Sequence, residues 1–157
     1  MADHEDRVAD FTPLEAGAWG GLLGVHGRLM RLIEQDLAER CRISHVEFEV
    51  LLRLSWAEGR RMRIQDLAAD SVLTRSGISR VVERLERVGL VIRESAPEDR
   101  RGAYAILTDA GLAMLRTALD GHVVLVRARF LDRFGPDELE QMAAWWRRVE
   151  DPDDMAR

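Results

Sequence analysis

The chain has 157 residues, 46% of them apolar and 32% charged, with a net charge of −5 and a single cysteine, Cys41. These values describe an ordinary globular protein of one domain; they exclude a disulfide framework, and no apolar stretch approaches the ~20 residues a bilayer-spanning helix requires. The charge is uneven: residues 60–101 hold ten Arg against seven Asp and Glu, a surplus of +3 that leaves −8 for the remainder, and such a basic module can meet nucleic acid because phosphate contacts act over a screening length of ~8 Å.

Taken in order, residues 1–11 read as a flexible arm and 12–157 as one domain. The acidic N-terminus lacks an apolar core segment, so no signal peptide is expected, and the lone cysteine fits a cytoplasmic protein. Thr12-Pro13-Leu14-Glu15 is a capping box with Pro at the first helical position. It predicts a long helix to about Glu39 with a stripe of Trp19, Leu22, Leu23, His26, Met30, Ile33 and Leu37. Glycines at 17, 20, 21, 24 and 27 weaken that helix, so it requires tertiary packing. Ser44-His45-Val46-Glu47 is a second capping box, opening a helix that carries Phe48, Leu51 and Leu54. Trp56 to Arg61 reads as a break.

Ile64–Ala69 is a short apolar-periodic run, broken at Asp70–Ser71. Thr74 is a good N-cap for a following helix whose Ile78, Val81, Val82 and Leu85 recur at i, i+3, i+4 and i+7, and Gly89 stands where such a helix ends. Two short helices across a tight turn form a helix-turn-helix. With Ile78 inward, Ser76, Ser79, Arg80, Glu83 and Arg87 face outward, and Arg75 lies in the first turn. Arginines and short hydroxyls there suit a major groove, where Arg takes guanine O6/N7 and Ser or Thr takes base or phosphate; the plainer alternative is a solvated helix face. Leu90–Glu94 and Ala103–Leu107 read as strands of a hairpin around a turn-rich segment with Arg100 and Arg101 near its tip. Thr108 caps a helix expected to run from Asp109 to Phe134, and Gly135-Pro136-Asp137 restarts a last one carrying Leu139, Met142, Trp146 and Val149.

The run Asp99-Arg100-Arg101-Gly102-Ala103-Tyr104-Ala105-Ile106-Leu107-Thr108 matches D-x-R-x5-L-T. With Ser76-Gly77-Ile78-Ser79 and Leu85-Glu86-Arg87-Val88-Gly89-Leu90-Val91, it resembles the MarR family of winged-helix transcription regulators across nearly the whole chain. The resemblance implies a mainly α fold with a small β-hairpin: a winged helix-turn-helix over 44–108, and a helical dimerisation region from 12–40 and 109–150. The terminal helices would pack across a two-fold axis, which agrees with apolar stripes too broad for one small module to cover.

It further implies a homodimer that binds double-stranded DNA at a palindromic operator, most simply as a repressor relieved by a small phenolic or acidic effector. The DNA contacts would fall to Thr74, Arg75, Ser76, Ser79, Arg80, Arg84, Arg93, Asp99, Arg100 and Arg101, with Arg101 in the minor groove and Asp99 holding the wing arginine. A solvated turn with an ion pair is the alternative for Asp99 and Arg101. Trp19, His26 and Phe48 are candidates for an effector pocket, against the alternative that all three are core.

Some relatives sense peroxide through one cysteine, so Cys41, flanked by Arg40 and Arg42, is a candidate redox switch; theirs lies earlier in the first helix, which favours an ordinary cysteine here. His4, His26, His45 and His122 lack metal-ligand spacing, no cofactor is implied, and no catalytic motif is present. A winged helix serving only as a protein-interaction module is the remaining alternative.

Overall fold

A computed structural model describes residues 11–69, 74–96 and 102–149. Residues 1–10 of the arm expected at 1–11 and the Asp70–Ser71 break lie outside the described residues, as do Asp99, Arg100 and Arg101.

Helix α1 runs Pro13–Cys41, α2 His45–Trp56, α3 Ile64–Ala69, α4 Arg75–Arg87, α5 Asp109–Arg129 and α6 Pro136–Val149. Both capping boxes form: Thr12 and Ser44 each accept the N–H of a glutamate three residues on, whose carboxylate returns to the cap. Thr74 and Thr108 cap α4 and α5 through the N–H groups of Gly77 and Gly111. Gly89 follows α4 with φ +75°, a left-handed conformation that a residue with a Cβ adopts only with strain.

Strands β2 (Val91–Ser95) and β3 (Ala103–Leu107) pair antiparallel from Val91↔Leu107 to Ser95↔Ala103. A third strand, β1 (Arg61–Arg63), was not predicted; it lies on the other side of β3, giving the order β1-β3-β2. The expected break at 56–61 therefore shrinks to a 3-10 turn at Glu58–Arg60. The helix expected to reach Phe134 ends at Arg129, because Phe130 leaves helical geometry (φ −135°, ψ −66°) and its ring packs edge-on against Phe134, centroids 5.2 Å apart.

One core joins these elements. Ile78, Val82 and Leu85, the predicted inner face of α4, are all but fully buried against Leu51, Leu54, Leu67, Val91 and Leu115. Burial of each such aliphatic side chain contributes about 1.5–3 kcal/mol. The C-terminal half of α1 enters this core through Ile33, Leu37 and Cys41. Its N-terminal half does not: Leu14, Trp19, Leu22 and Leu23 are exposed, as are Trp145, Trp146 and Val149 of α6, a helix with no buried residue.

Two glycines on α5 mark close approaches. A Cβ on Gly111 would run into the carbonyl of Leu90, and one on Gly121 would stand 2.5 Å from Nε of Arg40. The first seats α5 against the turn between α4 and β2, the second against α1.

Candidate nucleic-acid interface

The core holds α4 by its inner face and leaves its outer face to solvent. Ser76, Arg80, Glu83 and Arg87 are exposed and Ser79 is half-buried, as the 3.6 period requires. Thr74 Oγ1 accepts the Gly77 N–H at 3.2 Å and lies 3.0 Å from Ser76 Oγ, so the cap also gathers two hydroxyls at the N-terminal end of the helix. Nothing is described of the Arg75 side chain.

Two of the predicted DNA contacts are engaged within the protein. Arg84 reaches back from α4 to α2, its Nε 2.9 Å from Oε1 of Glu47, a carboxylate whose side chain is only 3% exposed. Glu47 is also the cap partner of Ser44, accepting the Ser44 N–H at 2.8 Å. Arg93 on β2 pairs with two carboxylates of α4, Glu83 at 3.4 Å and Glu86 at 4.0 Å. These bonds fix the recognition helix to α2 on one side and to the wing strand on the other.

The wing is closed at its base by the Ala96 N–H donating to the Gly102 carbonyl at 3.0 Å. On the edge strand, residues that the sequence reading missed form a second basic patch. Arg61 stacks its guanidinium 3.5 Å above the Tyr104 ring, and Arg63 donates from Nε to the Tyr104 hydroxyl at 3.2 Å. The three-residue strand that aligns them has no alternation of its own, so only the cluster of arginines at 60–63 hinted at it. A small recess of about 160 Å³ lies beside it, lined among others by Gln65, Ser79, Arg93 and Gly102.

The predicted effector residues part company. Trp19 and His26 share a broad open apolar groove of about 980 Å³ between α1 and α6, together with Leu22, Phe130, Trp145 and Trp146. Phe48 is elsewhere. It points inward from α2, is 3% exposed, and stacks on His122 of α5 with centroids 5.3 Å apart. Its place in α2 commits it to the core, whereas Trp19 lies on the part of α1 that runs beyond the core.

Cys41 is buried, and burial raises its thiol pKa; the nearby Arg40 offsets this only in part, being itself bound to Asp36 at 2.9 Å. A thiol held protonated and covered is a poor nucleophile toward peroxide. Among the described residues no group of three His, Cys, Asp or Glu is placed to hold a metal ion, and no helix is long and apolar enough to cross a membrane.

Comparison with known proteins gives a consistent picture. The sequence pattern of the MarR family matches residues 43–102. The structure resembles that of Sco3205, a MarR family transcriptional regulator from Streptomyces coelicolor solved in complex with DNA, at a TM-score of 0.82 and 34% identity, covering 88% of this chain and 87% of that one. It resembles AbsC, a MarR family regulator from the same organism, at a TM-score of 0.80 and 34% identity, covering 93% and 95%. Among curated proteins, the HTH-type transcriptional regulator YkoM of Bacillus subtilis is 33% identical over 96 residues, 61% of this chain and 60% of that one. The HTH-type transcriptional repressor YetL of the same species is 27% identical over 82% of this chain and 76% of its own.

Proposed function

The chain belongs to the MarR family of transcription regulators, and from that membership we propose that it works in the cytoplasm as a homodimeric repressor, bound to a palindromic operator and released by a small ligand. It is a DNA-binding regulator and not an enzyme. The observation that carries the reading is the geometry of α4. Its N-terminal end presents Ser76 and Arg80 to solvent on a helix that Thr74 caps and Arg84 anchors. A recognition helix must offer base-reading groups from a rigid support, and the capped, anchored α4 with its exposed Ser76 and Arg80 supports that reading. A chain 34% identical over most of its length was solved bound to DNA, which supports the same use of the helix here.

The dimer reading rests on the uncovered apolar surface of α1 and α6. Trp19, Leu22 and Leu23 on one helix and Trp145, Trp146 and Val149 on the other are exposed together, and among the described residues nothing outside the helix's own neighbouring backbone lies within 4 Å of a Cβ placed on Gly17, Gly20 or Gly21. Bare glycines allow a second helix to come close, and a contiguous apolar face of this kind marks a subunit contact. The ligand reading rests on Trp19 and His26, which bring an aromatic face and a titratable donor to one groove, a fit for a phenol or an aromatic acid next to the partner.

Gel-shift of the purified chain on DNA from upstream of its own gene, with random DNA as competitor and sedimentation of the free protein, tests the proposal. A sequence-selective complex from a dimer is expected. A monomer, or binding that random DNA removes as readily as operator, would refute it.

A further inference from the structure

His122 stands where α1, α2 and α5 meet. Its Nδ1 is buried and has no hydrogen-bond partner among the described residues. Its ring lies against Phe48 of α2, interplanar angle 30°. From α2 the charged or titratable neighbours are His45, whose ring centroid is 6.3 Å from that of Phe48, and Glu49, 3.9 Å from Nδ1 of His45. From α1 they are Asp36 and Arg40, which are bonded to each other and pack on Gly121, and Glu34, which accepts the His45 backbone N–H at 2.8 Å.

A bare imidazole nitrogen in such a place costs little, because it can remain an unprotonated acceptor. Adding a proton creates a buried N–H with no acceptor among the described residues and places a charge on a ring stacked against Phe48, and both are unfavourable. Among the described residues Asp36 draws the proton in, and Arg40 already holds it. Burial first, then His45, accordingly lowers the His122 pKa from its ordinary value, with Asp36 opposing.

The position gives this consequences beyond the site. Phe48, which carries His122, follows Glu47, which carries Arg84 of the recognition helix. Adjacent residues of one helical turn thus connect α5 to α4. Helices α1 and α5 lead to the proposed dimer contact.

We propose that His122 is a proton switch, in which charging its ring loosens α5 from α2 and weakens the hold of the recognition helix on DNA. The proposal rests on the DNA-binding reading above. The sign is fixed by the direction of the shift. A histidine harder to protonate in the folded state than in the unfolded one adds stability above its ordinary pKa of ~6.5, and that stability drains away as pH falls below it.

The test follows operator affinity and thermal midpoint of the full chain from about pH 8 to about pH 5, the window in which histidine titrates. Wild type should lose affinity below the onset by up to about ten-fold per unit of pH for each His122 that takes up a proton on release, so up to about a hundred-fold for a dimer that carries two. H122F, which keeps the stack on Phe48 and cannot charge, should match wild type at high pH and stay nearly flat below. H45Q removes the neighbouring imidazole that works against charging His122, so release should begin at a higher pH. A flat wild-type profile, or an H122F profile that falls as wild type does, overturns the switch.

An NMR titration of the His122 Cε1 proton in wild type decides the matter even if H122F does not fold: a midpoint at or above the ordinary histidine value rejects the proposal, and one below it that moves with the Phe48 ring resonances supports it. Absence of DNA binding at every pH would instead reject the DNA-binding reading, leaving the NMR titration and the thermal midpoint to judge His122.

Discussion

Arg84 of the recognition helix and Glu47 of α2 form an ion pair at 2.9 Å, with the carboxylate buried and the guanidinium half in solvent. Glu47 thereby serves two helices: it caps its own through Ser44 and holds α4 by Arg84. Removing one partner leaves a buried group short of a bond, which costs about 1–3 kcal/mol. Arg84→Ala leaves the buried Glu47 carboxylate without its guanidinium and should fall near the upper end, whereas Glu47→Ala leaves the exposed Arg84 free to turn to solvent, loses mainly the Ser44 cap contacts and should fall lower. Urea denaturation measures both. Arg84→Ala should lower stability yet weaken operator binding by the folded protein less than Arg80→Ala does; the reverse order would return Arg84 to the DNA surface.

Much of this was legible in the chain itself. The caps at Thr12, Ser44, Thr74 and Thr108, the inward face of α4 and the pairing of β2 with β3 follow from local chemistry and periodicity, and all are present. What was not legible depends on pairs distant in sequence. Glu47 reads as a capping residue, and nothing near it announces Arg84. Phe48 reads as pocket or core, with core favoured, until His122 is placed against it. Strand β1 is three residues long, too short to show a period, and exists because β3 offers it an edge.

Gly111→Ala should be among the most damaging small substitutions. The new Cβ would meet backbone, the Leu90 carbonyl, and the Leu107 side chain, so relief requires α5 to shift from the base of the wing. A loss of about 1–3 kcal/mol is expected, in the range for overpacking, read as a lower thermal midpoint. The same change at Gly17 or Gly20, whose Cβ would meet nothing among the described residues, should leave an isolated chain intact and instead weaken dimerisation, seen by sedimentation at low concentration.

Arg80→Ala and Arg101→Ala should act in different ways. Arg80 stands on the exposed face of α4, and loss of a bidentate base contact costs about 1–3 kcal/mol while relaxing preference at one base pair. Arg101, expected from the sequence motif to enter the minor groove, should weaken binding and reduce preference for narrow A·T steps. Both thermal midpoints should stay close to wild type, within the ~0.5 kcal/mol typical of surface positions. Selection of preferred sites from a random DNA pool distinguishes the two, and identical profiles for the variants would contradict the assignment.

Cys41→Ser should bind operator as wild type does, and wild type should remain bound in peroxide. The thiol is buried and its pKa raised, so little thiolate is available to attack. Release of wild type but not the variant by stoichiometric peroxide would make the cysteine a sensor after all.

On the proposed function, two copies of α4 related by a dimer axis read two turns of one operator, which footprinting combined with a salt titration measures. With Arg84 and Arg93 already paired to carboxylates, and Arg80 and Arg101 expected at base edges and in the minor groove, Arg75 and Arg100 remain as candidates for phosphate. Two such contacts per subunit give a log–log slope of affinity against salt of about −4 for the dimer, at about −0.9 per phosphate. The two protected half-sites should lie about 10 base pairs apart, centre to centre. A single protected half-site, or a slope near zero, would contradict the dimeric operator-binding account.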